Sequence, residues 1–192
     1  MKLLITGLFL ATFLISCKEK AADSTEQKAE RTARAAADSF SQYEIMGLTI
    51  DLPASPTSQP LELPAQVKQV MESMEVYQLS LSAGKVMLSH MVYKIPEVNL
   101  DGAAAGGIAQ VRDNPKATDF TSSTEEVIVD GLAGRQVHMS LKQDGHPLNQ
   151  HSLIFARGNE LWQIQVIALG EGDQEDLEKL RDRIFDSVEL PK

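Results

Sequence analysis

A single cysteine, Cys17, stands in 192 residues, so no internal disulfide can staple this chain. Basic residues are in deficit too: 18 Lys and Arg face 27 Asp and Glu, for a formal net charge of -9. A surface of that sign repels phosphate backbones and anionic lipid, which excludes nucleic acid as a partner. No apolar run approaches the roughly 20 residues that a membrane-spanning helix needs. Motifs of known chemistry are lacking as well: there is no Gly-x-Ser-x-Gly elbow, Gly-x-x-x-x-Gly-Lys loop, dinucleotide fingerprint or calcium loop. Each absence argues against an enzyme, and no cofactor is expected.

What is present begins at the N-terminus. Lys2 supplies a short positive region, and Leu3 to Ile15 form an apolar run of the length of a signal-peptide core. The run closes with Leu14, Ile15, Ser16 and Cys17, which resembles the bacterial lipobox, whose cysteine is acylated and becomes the mature N-terminus. The resemblance implies a signal peptide over 1-16 and lipidation at Cys17, with the membrane as the partner of that lipid. Several acyl chains at about 0.8 kcal/mol per buried methylene make such an anchor effectively permanent. Lys18 stands where similar enterobacterial lipoproteins carry an aspartate for inner-membrane retention. The expected location is therefore the cell envelope, lipid-anchored at the outer membrane, on its periplasmic face or at the cell surface.

From Lys18 to Gln42 the chain is rich in Ala, Glu, Lys, Ser and Thr without an apolar stripe, and its five acidic and five basic side chains cancel. Residues 17-42 thus read as a lipidated N-terminus and flexible tether, with a coil reach of about 28 Å. The domain that follows, 43-192, carries the whole negative balance and has the length of one domain.

Within 43-192, Ile45, Leu48, Ile50 and Leu52 predict one strand from Glu44 to Leu52, ended by Pro53. Pro64 suits a first helical turn, and Val67, Val70, Met71 and Met74 recur at i, i+3, i+4 and i+7, which predicts a helix there. Val76 to Leu81 and Val86 to Tyr93 form a hairpin around Ser82 to Lys85. Asp101 is placed to cap a short helix through Arg112, whose alanines and glycines allow close approach to a sheet. Four runs follow, Thr121 to Val129, Arg135 to Leu141, Leu148 to Ala156 and Leu161 to Leu169. Breaks at Asp130-Gly131, Asp144-Gly145 and Gly158-Asn159 make them an antiparallel meander, with Pro147 favouring a longer loop before Leu148. Asp173 caps a last helix with Leu177, Leu180, Ile184 and Val188 on one stripe.

With Gly158-Asn159 as the turn, Phe155 faces Trp162 and Leu153 faces Ile164, while Ile154, Ala156 and Ile167 point the other way. Both sheet faces are then partly apolar and both need cover. The expected class is α+β, an α/β/α sandwich with a central antiparallel sheet covered by helices on both faces.

This order of elements, with Gly47-Leu48-Thr49-Ile50-Asp51-Leu52-Pro53, the hairpin around Ala83-Gly84, the turn Val129-Asp130-Gly131, and Trp162 to Val166 followed by Phe185-Asp186-Ser187-Val188, resembles the PsbP and DcrB group. Its fold is shared by the Mog-type Ran-binding proteins. One departure is that Pro53 is followed by Ala54, Ser55 and Pro56 rather than by an aromatic residue. The resemblance implies a non-enzymatic accessory module docking on a larger membrane-associated assembly, with an envelope protein as partner. It transfers no catalytic residue.

Four candidate chemistries remain. Ser82-Ala83-Gly84-Lys85 has the Ser-x-x-Lys spacing of penicillin-interacting enzymes but falls in a hairpin and lacks their downstream motifs. An Asp144-Gly145 turn sets His138 directly across from His151, a pair able to share a metal or to serve a hydrolytic site with a nearby carboxylate. Zinc takes three or four protein ligands, and neither a cysteine nor His-Glu-x-x-His completes the set. The acidic run Glu171 to Glu178 suits a helix start through the dipole. Opening between the sheet and the Met71 to Met74 helix would make a small-ligand carrier. The leading expectation is a lipid-anchored binding or scaffold module, with the metal-dependent or hydrolytic enzyme and the carrier as alternatives.

Overall fold

The computed structural model describes residues 40-81, 84-170 and 174-191. The signal segment, Cys17, most of the tether, Ser82 and Ala83 of the Ser-x-x-Lys match, and the Asp173 cap lie outside these. The described chain is α+β, with a seven-stranded antiparallel sheet in the order β3-β4-β5-β9-β8-β7-β6 and a two-stranded sheet β1-β2.

The strands are β1 (Ser41–Ile45), β2 (Leu48–Leu52), β3 (Thr57–Ser58), β4 (Met71–Leu81), β5 (Gly84–Tyr93), β6 (Ala117–Val129), β7 (Leu132–Gln143), β8 (His146–Arg157) and β9 (Glu160–Leu169). The helices are α1 (Val67–Val70), α2 (Leu100–Arg112) and α3 (Gln174–Asp186). Strands β6 to β9 form the meander, joined by turns at Asp130-Gly131, Asp144-Gly145 and Gly158-Asn159. The two Asp-Gly turns hold both residues at positive φ, the geometry whose twist matches paired strands. Phe155 pairs with Trp162 and Leu153 with Ile164, the register expected from the turn.

Helices cover the two sheet faces separately. On one, Leu48, Ile50 and Leu52 of β2 and Ile184 of α3 bury against Leu88, Phe155, Trp162, Ile164 and Val166. Ser187 and the α3 stripe are tied to β2: Asp51 N–H donates to Ser187 Oγ at 2.9 Å, and Thr49 and Glu189 exchange two backbone bonds of 2.9 Å. Arg183 stacks over the Phe40 ring at 3.8 Å, adding a hold at the start of β1. On the other face, Ala103 and Ala104 of α2 pack with Met91, Val137, Met139, Ile154 and Leu161.

Four expectations are corrected. The single strand Glu44 to Leu52 is two strands joined at Met46-Gly47, both at positive φ, and the strand pairing reaches back to Ser41. Methionine is a poor left-handed residue, so Gly47 is the turn's one signal and Met46 masks it. The helix over Pro64 to Met74 is a four-residue α1, and Met71 already belongs to β4. A register irregularity between Met71 and Ser73 disguises the two-residue period of β4, and pairing with β5 along its length overrides the helical spacing. The cap of α2 is Asn99, whose Oδ1 accepts from Gly102 N–H at 2.9 Å, not Asp101. Pro147 sits inside β8 opposite Lys142, so the turn stays at Asp144-Gly145 without a longer loop.

Candidate functional site

Three polar constellations survive inside this apolar frame. The first is the histidine pair. His138 on β7 and His151 on β8 are direct cross-strand partners, and their rings stack at 4.3 Å between centroids with 11° between planes. Imidazole lone pairs lie in the ring plane, so two near-parallel rings cannot both aim at one ion about 2 Å from each nitrogen. Arg181 of α3 occupies the remaining side: its Nη1 lies 3.2 Å from His151 Nδ1. A guanidinium only donates, so His151 Nδ1 accepts and the ring proton sits on Nε2. Burial, the neighbouring His138 and Arg181 together push the His151 pKa down to about 4, with Asp182 opposing them. His151 is therefore neutral at pH 7, a hydrogen-bonded tie between sheet and helix. Ser123 of β6 lies across from His138, and no hydrogen bond joins the two among the described residues. No group of three or more His, Cys, Asp or Glu converges on a metal-sized site among the described residues either.

The second constellation lies at the Trp162 end of the same face. His90 stacks on Trp162 at 4.7 Å, and Phe155 stacks on its other neighbour position at 5.6 Å. Arg157 lies over the indole at 5.5 Å and Glu160 Oε1 sits 3.8 Å from His90 Nε2. Burial pulls the His90 pKa down against the raising effect of Glu160 and Glu75. Trp162 Nε1–H donates to Met46 O at 3.0 Å, so this cluster supports the β1-β2 turn.

The third is a stripe of buried uncharged polar residues on the α2 face, which the sequence reading missed. Ser89 of β5, Gln163 and Gln165 of β9, and Gln150 and Ser152 of β8 are all buried. Gln150 Nε2–H donates to Ser152 Oγ at 3.1 Å, and Ser89 Oγ–H donates to Gln163 O at 3.4 Å. Gln163 is 5% exposed and its Oε1 has no hydrogen-bond partner among the described residues. The available signal was the alternation of Gln163 and Gln165 with Trp162, Ile164 and Val166, which ordinarily marks a solvent-facing side. The carrier opening expected beside a Met71 to Met74 helix has no such helix to form it, since those residues are strand.

No family model matches the chain, and no curated protein sequence matches it. Solved structures do. The cyanobacterial PsbP (CyanoP) of Synechocystis is similar at 12% identity over 80% of this chain and 93% of that one, with a TM-score of 0.50. LpqN of Mycobacterium tuberculosis, described as involved in cell envelope biogenesis, is similar at 14% identity, covering 80% and 91%, with a TM-score of 0.45. A Bacteroides thetaiotaomicron protein is similar at 12% identity and a TM-score of 0.44, and this chain spans about half its length, 48%. The likeness to CyanoP shows a PsbP-like α+β fold. It carries no activity with it, because one fold hosts many functions. No described helix is long and apolar enough to cross a membrane.

Proposed function

We propose that this chain is a lipid-anchored envelope lipoprotein whose PsbP-like domain is a non-enzymatic binding or scaffold module for a membrane-associated assembly. The observation that carries the reading is Leu14-Ile15-Ser16-Cys17 at the end of a signal-length apolar run, followed by a charge-balanced polar segment. The thioether lipid on Cys17 holds the domain at the outer membrane, and the segment up to Phe40 spaces it from the lipid surface. The polar groups fit a module that binds rather than reacts. His151 is engaged by Arg181 at 3.2 Å, which takes its Nδ1 out of use as a proton acceptor for a substrate.

Mass spectrometry of the native protein tests the anchor: a mature chain starting at acylated Cys17 is expected, and Cys17→Ser should move the protein from the membrane to the soluble fraction. An unmodified thiol with residues 1-16 retained would overturn it. In vivo crosslinking followed by gentle extraction tests the scaffold role; recovery of monomer alone would count against it.

A further inference from the structure

The seven-stranded sheet ends in two very different edges. Strand β3 contributes two residues, Thr57 and Ser58, whereas β6 runs for 13 residues and pairs on one side with β7. From Thr121 to Val129 that pairing is unbroken, the outer side of β6 has no strand against it among the described residues, and Thr121 to Glu126 are all exposed. Backbone groups on alternate residues of such a strand point outward and form a template for another strand.

The chemistry of this edge selects what can pair with it. Ser122, Ser123, Thr121 and Thr124 suit a solvated strand, and Ile128, 73% exposed, adds an apolar foothold near one end. Glu125 and Glu126 sit at its centre on opposite faces, Glu125 across from Gln136 and Glu126 across from Arg135. Glu126 shares Arg135 with Asp101, at 3.4 and 2.8 Å, and Glu125 has no ion pair among the described residues. A second copy paired antiparallel with Glu125 opposite Glu126 would set both glutamates against glutamates, on top of a net charge of -9. The same two glutamates that repel a copy attract a basic strand.

We propose that the β6 edge is a docking site for an extended segment of a partner protein carrying a central pair of basic residues, added antiparallel as an eighth strand opposite Glu125 and Glu126. This rests on the binding-module reading only for the partner's place, and its test is independent of the lipid anchor.

The probes are two eight-residue peptides of threonine and valine, one with a central Lys-Lys pair and one with Glu-Glu. They are titrated to millimolar concentration into the full chain in detergent, with amide-resolved NMR and hydrogen exchange. The Lys-Lys peptide should shift and protect alternate amides of 121-129 and leave β3 unaffected. Binding of the Glu-Glu peptide should be about tenfold weaker. Glu125→Lys/Glu126→Lys, checked for an unchanged fold by its NMR spectrum, should reverse the preference. No protection by the Lys-Lys peptide, equal protection by both peptides, or protection that grows with protein concentration alone would overturn the proposal, the last by pointing to a second copy.

Discussion

The indole N–H of Trp162, in the middle layer of the sheet, donates to the main-chain oxygen of Met46 at 3.0 Å. Met46 is held at a φ of 55°, a conformation unfavourable for a long side chain. The bond thus fixes a strained turn from 116 residues away in sequence, and it couples the two-stranded sheet to the main core.

Trp162→Phe keeps an aromatic ring against His90 and Phe155 but removes the donor, leaving Met46 O unpaired. A loss of about 1–3 kcal/mol is expected from chemical denaturation. Faster hydrogen exchange should appear in β1 and β2. Unchanged exchange in that hairpin would show that α3 alone holds it.

Stability should fall with acid through His151. Its folded pKa, about 4, lies below the ordinary histidine value of 6.5, so the unfolded chain binds the proton first. The contribution is fully present above pH 6.5 and is lost progressively as pH falls toward 4, up to about 3 kcal/mol. His90, depressed by burial, acts in the same direction. Melting temperatures from pH 8 to 4 would show the loss, and His151→Gln should flatten it. A His151→Gln profile as steep as that of the parent would remove His151 as the source.

Two glycines should respond oppositely to alanine. A Cβ at Gly84 would collide with the backbone oxygen of Ile167 on β9, so Gly84→Ala must force two central strands apart and should cost more than about 2 kcal/mol. At Gly107 in α2 a Cβ meets nothing within 4 Å, and Gly107→Ala should stabilise by about 0.5–1 kcal/mol. Paired urea melts measure both, and equal signs would contradict the packing described.

Arg135 has a side chain only 15% exposed and joins β7 to Asp101 at the start of α2. Arg135→Met retains the buried stem and removes the charge. The expected result is a modest stability loss, about 1 kcal/mol, with increased exchange in the first turn of α2. If exchange there is unchanged, the Asn99 cap and the Ala103-Ala104 contacts are sufficient to hold the helix.

Several of these relationships were legible before folding. Asp-Gly at 130-131 and 144-145 and Gly-Asn at 158-159 specify hairpins, so the neighbours of β6 to β9 and the facing of His138 on His151 follow from turn chemistry alone. The stripe Leu177, Leu180 and Ile184 marks a helix that packs one face on a core. Met46-Gly47 carried Gly47 alone as a turn signal, and Val67 to Met74 carried a helical spacing that β4 does not use. The buried Gln163 and Gln165 resemble solvent-facing strand residues in every local respect.

The sequence alone thus determined the class and the meander register, because each rests on residues adjacent in the chain. The tertiary structure decided that β5 lies against β9, that Met71 extends a strand, that Arg181 reaches His151 and that Trp162 holds Met46. Those outcomes depend on groups tens of residues apart. Their contact energies appear only once the chain has closed its long loops, so no local pattern encodes them.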